Sequence, residues 1–338
     1  DDEFDGVADQ SVSSTTLDDD APGFTIEETD AATEVDESGS TDIFTVVLDV
    51  QPTSDVVLTV TSSDTGEATV NSPLTFTPVN WDTPQTVTVT GVDDDLVDGT
   101  ITSTITIAVD DANSDDDFDT VADQTVSVDT LDDDVAGFTI EETDGSTEVD
   151  ESGSTDIFTV VLDAQPTSDV VLTITSDDTG EATVPASVTF TAADWDTPQT
   201  ITVTGVDDDL VDGTITSTIT VAVDDSNSDD DFDALDDQTV SIDTLDDDVA
   251  GFTIEETDGS TEVDESGSTD IFTIVLDAQP TNDVVVLATA SNDETEATVS
   301  GSITFTSENW DTPQTVTVTG VDDDLVDGDQ TYDITISI

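Results

Sequence analysis

Residues 84–109 read PQTVTVTGVDDDLVDGTITSTITIAV. Val87 and Val89 alternate with threonine on one side of this stretch; Ile105, Ile107 and Val109 alternate with Thr and Ala on the other. A period of two puts each apolar set on one face of an extended strand. Between them GVDDDLVDG opens and closes on glycine and has no helical spacing, so it reads as a corner between two half-buried strands. The same nine residues return at 205–213 and 320–328.

The corner belongs to a long repeat. GFTIEET begins at Gly23, Gly137 and Gly251, 114 residues apart each time. Trp81, Trp195 and Trp310 keep that period, except for one extra residue in DVVVLATASND of the third copy. A unit of this size is a whole domain and not a solenoid turn. Its first copy holds seven β-rich runs separated by turn residues: FTIEE, IFTVVLDV, DVVLTVTS, SPLTFT, PQTVTVTG, TITSTITIAV and DQTVSVDTL. The expected fold is therefore all-β, with tandem seven-stranded antiparallel immunoglobulin-like sandwiches arranged end to end. Expected boundaries are 21–134, 135–248 and 249–338. Asp1–Asp20 match Asp229–Asp248 and read as the final strand of a preceding or neighbouring-subunit repeat. The third unit stops at Ile338, equivalent to Val223, ahead of its own last strand. Two readings stand open: a window of a longer array, with a first residue other than Met fitting an excerpt or a processed chain, or a subunit that completes a neighbour by strand addition.

Composition narrows the partners. The 338 residues carry a formal net charge of −85 with no Lys, Arg or His. Acidic disordered tails lack apolar residues, but here 34% are hydrophobic, enough to build cores. Nucleic acid needs basic side chains to displace its counterions, and anionic membrane surfaces repel such a chain. No apolar run approaches the roughly 20 residues of a membrane span, and no signal peptide is expected in this sequence. Without cysteine there is neither a disulfide nor a thiolate metal site.

Seven strands that reverse direction in turn send three loops and the exit of the last strand to one end of each sandwich. In the first repeat that pole gathers Glu37 from VDESGSTD, Asp64 from SSDTGE, Asp93, Asp94, Asp95 and Asp98 from the corner, and Asp132, Asp133 and Asp134 from TLDDD. The second repeat offers Glu151, Asp178, Asp207, Asp208, Asp209, Asp212, Asp246, Asp247 and Asp248. The third offers Glu265, Asp293, Asp322, Asp323, Asp324 and Asp327. Two carboxylates 4 Å apart repel by ~4 kcal/mol at an effective dielectric near 20. Dense oxygen ligands suit Ca²⁺, which takes six to eight of them; Mg²⁺ demands stricter geometry and Zn²⁺ prefers His and Cys. The alternatives are a solvated acidic surface, protonation of several acids together, or halophilic adaptation in which acids hold hydrated cations. The acidic DDANSDDDFD at 110–119 is expected at the opposite pole, holding bulk counterions.

VTVTGVDDDLVDG, TLDDDVAGFTIEE and the early VDESG resemble Calx-beta domains, along each repeat from end to end. That resemblance implies a seven-stranded sandwich with several Ca²⁺ ions at the pole facing the next domain. It carries onto Glu37, Asp93, Asp94, Asp95, Asp132, Asp133 and Asp134; Asp64 and Asp98 match less closely, Gly99 standing where the family often has acid. A regulatory role in transport does not follow, because no transport segment accompanies it.

Three functions follow for weighing. The leading one is an extracellular or cell-surface structural protein, a calcium-rigidified array forming a stalk, filament or matrix fibre, with self-association or contact between neighbouring repeats. The second is calcium-dependent glycan binding through the NWDTPQ and DWDTPQ turns, although a tryptophan folded over a sandwich edge is the commoner arrangement. Enzyme activity is not expected: nucleophile–base chemistry lacks His, Lys and Cys, and a glycosidase-type carboxylate pair belongs in one cleft, not in triplicate.

Overall fold

The computed structural model describes residues 3–30, 32–291, 296–325 and 328–338. Among the described residues it is all-β apart from two single-turn 3₁₀ helices, 116–118 and 230–232, and no helix there is long and apolar enough to cross a membrane. The chain packs as two compact units, residues 1–135 with 164–167, and residues 136–163 with 168–338.

The first unit holds β1 Phe24–Glu28, β2 Thr33–Asp36, β3 Thr41–Leu48, β4 Val56–Ser62, β5 Ala68–Val70, β6 Leu74–Phe76, β7 Gln85–Gly91, β8 Ile101–Val109 and β9 Gln124–Leu131. One sheet runs β1-β3-β7-β5 and the other β2-β9-β8-β4-β6. Their inner faces carry the alternating residues Phe44, Val46, Leu58, Phe76, Val87, Val89, Ile105 and Ile107, all fully buried. That is an immunoglobulin-like sandwich, closed over one apolar core.

Nine strands replace the seven expected. Thr33–Asp36 lies in what reads as a loop, yet it pairs in parallel with β9, Val35 opposite Thr130 and Asp36 opposite Leu131. The sandwich is thus antiparallel except at this one pair. Ala68–Val70 is too short to show a period; it becomes a strand by pairing with β7.

The second unit repeats the pattern with β10 Phe138–Glu142, β11 Thr147–Asp150, β12 Thr155–Leu162, β13 Val170–Ser176, β14 Ala182–Thr183, β15 Ser187–Phe190, β16 Gln199–Gly205, β17 Ile215–Val223 and β18 Gln238–Leu245. A further sandwich follows in the same unit: β19 Phe252–Glu256, β20 Thr269–Leu276, β21 Val284–Ala290, β22 Ala297–Val299, β23 Ile303–Phe305, β24 Gln314–Gly320 and β25 Ile334–Ser337. Its sheets are β19-β20-β24-β22 and β23-β21-β25. Among the described residues it has no counterpart of β9 or of β2.

Residues 3–20, which read as a strand, are exposed and form none here. A single strand without a partner leaves its backbone groups to water and has nothing to hold it straight. Trp81 and Trp310 pack against their cores, the structural role that a tryptophan at a sandwich edge commonly has.

Candidate metal centre

The pole is assembled by the ends of four strands. Glu37 follows β2, and its N–H donates to the Leu131 carbonyl at the end of β9 (3.1 Å). The corner 91–99 follows β7, with the Gly91 N–H on the Ser40 carbonyl (3.0 Å). A Cβ at Gly91 would collide with the backbone carbonyl of Asp36, so only glycine lets the corner approach Glu37 this closely. Gly99 closes the corner at φ +73°, in the left-handed region. Asp132 then ties the corner to the exit of β9. Its carboxylate accepts from the N–H groups of Asp98 (3.1 Å), Gly99 (2.8 Å) and Asp134 (2.7 Å). In the second sandwich Asp246 does the same for Gly213 (2.7 Å) and Asp248 (2.8 Å).

At the centre of this arrangement lies a buried acid. Glu37 is 1% exposed and Glu151 0%. Glu37 Oε2 and both carboxylate oxygens of Glu151 have no hydrogen-bond partner. Oxygens of Glu37, Asp132 and Asp134 lie within 4.8 Å of one another, as do those of Glu151, Asp246 and Asp248. Oxygens of Glu181, Asp208 and Asp212 also lie within 4.8 Å of one another. Each group is close enough to hold a metal ion between its carboxylates.

The electrostatics follow from that burial. Loss of water, then the charges of Asp94, Asp132, Glu67 and Asp98, push Glu37 up to about 7. Burial, with Asp208, Glu181, Asp246 and Asp212, does the same to Glu151, also to about 7. Burial and neighbouring acids likewise raise Glu67, Glu181, Asp134, Asp212 and Asp248. Asp246 moves the other way, because the Gly213 N–H stabilises its charged form. The pole therefore combines acids anchored by backbone N–H groups with buried acids that no Lys, Arg or His in the chain can compensate.

The residues expected from sequence divide by depth. Asp94, Asp98, Asp132 and Asp134 are half-buried with Glu37, whereas Asp64, Asp93, Asp95 and Asp133 are exposed. Asp95, Asp133 and Asp93 still raise Asp134. In the second sandwich Asp208, Asp246 and Asp248 are half-buried with Glu151, and Asp178, Asp207, Asp209, Asp212 and Asp247 are exposed. Asp64 and Asp178 cap their own turns, accepting from Gly66 (2.9 Å) and Gly180 (3.0 Å). The buried acid of that loop is three residues on: Glu67 and Glu181, absent from the sequence-based set, are 7% exposed with Oε2 unpartnered. Each immediately precedes the fully buried Ala68 or Ala182, and that adjacency to an apolar anchor was the available signal.

In the third sandwich Glu265, Asp322 and Asp324 are exposed and Asp323 is half-buried. Asp293 and Asp327 lie outside the described residues. Within the second unit, the corner of the second sandwich also touches the loop after β20: the Gln279 N–H donates to the Asp209 carbonyl (2.6 Å), and Leu210 bridges Gln279. At the opposite pole Asp115 is buried but satisfied, accepting from the N–H groups of Thr53 (2.7 Å) and Ser54 (2.8 Å) and the Thr53 hydroxyl (2.8 Å).

No protein-family model and no curated protein matches the sequence. Among solved structures, CBD12 from CALX1.2 is 13% identical over 64% of this chain and 99% of its own, with a TM-score of 0.26. Domains 1–6 of the surface layer protein SbsC are 14% identical over 93% of this chain and 40% of theirs, at 0.30. Extracellular cadherin domains 1–4 of protocadherin gamma B7 are 13% identical over 94% of this chain and 76% of theirs, at 0.31. Such scores leave the sandwich architecture to be read from the strand pairing itself.

Proposed function

We propose that this chain is an extracellular structural repeat array whose sandwiches are fastened at one pole by calcium. The observation that carries the reading is the pair Glu37 and Glu151, almost wholly buried with unpartnered carboxylate oxygens among further acids. A protein of net charge −85 with no basic side chain has no internal means of neutralising them. A divalent cation does so at once, and an all-oxygen set of carboxylates, carbonyls and water is what Ca²⁺ takes.

On this reading the ligands come from Glu37, Glu67, Asp94, Asp98, Asp132 and Asp134 in the first sandwich. Their counterparts Glu151, Glu181, Asp208, Asp212, Asp246 and Asp248 serve the second, and the exposed Asp93, Asp95, Asp133, Asp207, Asp209 and Asp247 form an outer rim. The repeats of the array run over 21–134, 135–248 and 249–338. The backbone contact from Asp209 to Gln279 supports a stiffening role, since fixing the corner also fixes what the next sandwich rests on. Millimolar extracellular calcium suits sites of modest affinity, and the absence of Lys and Arg removes trypsin-type cleavage sites. The role is mechanical and not catalytic.

The test is unfolding with calcium and with chelator at matched ionic strength. The proposal expects a rise in midpoint with millimolar Ca²⁺ that KCl of equal ionic strength does not reproduce. Equal stabilisation by both salts favours diffuse charge screening and overturns it.

A further inference from the structure

Three hydroxyls interrupt the apolar interior of the first sandwich, and three that of the second. Thr33, Ser103 and Thr130 in the one, and Thr147, Ser217 and Thr244 in the other, are at most 3% exposed. The side-chain oxygens of Thr33, Ser103, Thr130, Ser217 and Thr244 have no hydrogen-bond partner. A hydroxyl shut away dry costs a fold roughly tenfold in its equilibrium constant, so five of them call for a physical account.

Strand register gathers them beneath the acid pole. In the first sandwich Val128 has Thr33 on one side and Ser103 on the other. Thr130, the next inward residue of β9, lies diagonal to both. Ile242 likewise stands between Thr147 and Ser217, with Thr244 next on its strand. Diagonal neighbours in a sheet stand roughly 7 Å apart, too far for two short hydroxyls to meet directly. Two residues beyond Val35 and Thr130, on the same inner faces, come Glu37 and Asp132. Glu37 and Glu151 also keep unpartnered oxygens.

The two repeats differ where the core is apolar and agree where it is polar. Val60, Val87, Ile107 and Val128 become Ile174, Ile201, Val221 and Ile242, all buried, while the three hydroxyls stay the same. Valine would fill either threonine's space without a polar atom. Ser103 also breaks the inward row of Ile101, Ile105 and Ile107, and a small residue in a close-packed row leaves room beside it. Thr147 donates to Glu142 (3.1 Å), whereas Thr33, in the same FTIEET and TEVDESGST surroundings, finds no such partner. The space around this hydroxyl is therefore not closed by one fixed contact.

We propose that the first and second sandwiches each enclose ordered water, held between the diagonal hydroxyls and reaching the inner oxygen of Glu37 or Glu151. Water suits this lining because a hydroxyl both donates and accepts and a carboxylate only accepts; one molecule answers both and takes about three bonds. It gives the buried glutamate a donor from below and leaves its other oxygen to the pole. Only that last clause rests on the metal reading; the water site does not.

The decisive experiment is a high-resolution crystal structure of the full chain in chelator and in millimolar CaCl₂. Water density is expected within about 2.8 Å of Ser103 and Thr130, and of Ser217 and Thr244, under both conditions. Thr130→Val with Thr244→Val is expected to lose part of that density. By chemical denaturation in chelator, it is also expected to lower the folding equilibrium constant roughly tenfold for each sandwich, because the water loses an anchor and the remaining hydroxyl loses its partner. Ser103→Ala with Ser217→Ala gives a second reading of the same sign. Valine variants as stable as the parent, or more so, mean that the hydroxyls were dry and overturn the proposal. So does a parent structure without water at these hydroxyls, or with water only when calcium is bound, since that water belongs to the ion's own shell. Water present in both conditions, together with a midpoint that calcium does not raise, upholds the site and refutes the metal reading alone.

Discussion

Removing calcium is expected to reverse the sign of the pH dependence of stability. In the metal-free chain Glu37 and Glu151 have folded values near 7 against an ordinary 4.5. Between those values the folded state binds more protons than the unfolded state, so stability falls as pH rises. The contribution is complete below about pH 4.5 and gone above about pH 7. At about 1.4 kcal/mol per unit, a shift of this size amounts to about 3 kcal/mol per sandwich, of which roughly 2.5 kcal/mol falls between pH 5 and pH 8. Glu67, Glu181 and Asp134 are raised too and push the same way. For domains of about 114 residues a loss of that size lowers the midpoint by about 10 °C.

With calcium present the slope inverts, because ligands must lose their protons to bind and metal stabilises only the folded state. The assay is thermal unfolding by circular dichroism from pH 5 to pH 8, at fixed ionic strength, with chelator and with millimolar CaCl₂. The double variant Glu37→Gln, Glu151→Gln separates the buried acids from general repulsion across the chain. It is expected to flatten most of the metal-free slope and to weaken the response to calcium. A metal-free midpoint that stays level across this range, or slopes of the same sign in both conditions, would refute the reasoning.

Other consequences follow from single contacts. Gly205→Ala forces a Cβ into the Asp150 carbonyl; a loss of about 3 kcal/mol is expected by chemical denaturation, with weaker calcium binding by calorimetry. Asp115→Ala leaves the Thr53 and Ser54 amides without their acceptor. It is expected to cost about 2 kcal/mol at neutral pH while leaving calcium binding in the second sandwich unchanged. Because Asp115 is held down to about 2 by hydrogen bonds from Ser54 and Thr53, its wild-type contribution is present above about pH 3.8 and is lost as pH falls toward 2; a variant with the same acid transition would sink this assignment. Phe158→Ala empties a fully buried site and is expected to cost about 3–5 kcal/mol, read as an earlier unfolding midpoint of the second unit.

Much of the fold is legible because period-two alternation is a local signal. Val87 and Val89, or Ile105 and Ile107, declare an inner face without reference to the rest of the chain, and the structure buries all four. Ala68–Val70 is different: three residues carry no period, and their strand exists only through pairing with β7. The same distinction separates the acids. Runs such as Asp93–Asp95 and Asp132–Asp134 are conspicuous in sequence, but several of their members face solvent. Glu67, a single acid between glycine and alanine, is the one that enters the pole from its loop.

Nine residues, TEVDESGST, occur unchanged at 33–41, 147–155 and 261–269. By itself the sequence determined that each copy links two strands of a repeat and brings an acid to an acidic pole, because spacing and alternation are properties of the chain. It did not determine the conformation of that acid's surroundings. In the first two copies Thr33–Asp36 and Thr147–Asp150 pair in parallel with a last strand, and Glu37 and Glu151 are shut off from water. In the third, Thr261–Asp264 has no such neighbour, forms no strand, and leaves Glu265 exposed. A β-strand is stabilised by hydrogen bonds to a partner distant in sequence, so only the tertiary structure decided which of three identical segments became a strand and which glutamate became a buried one.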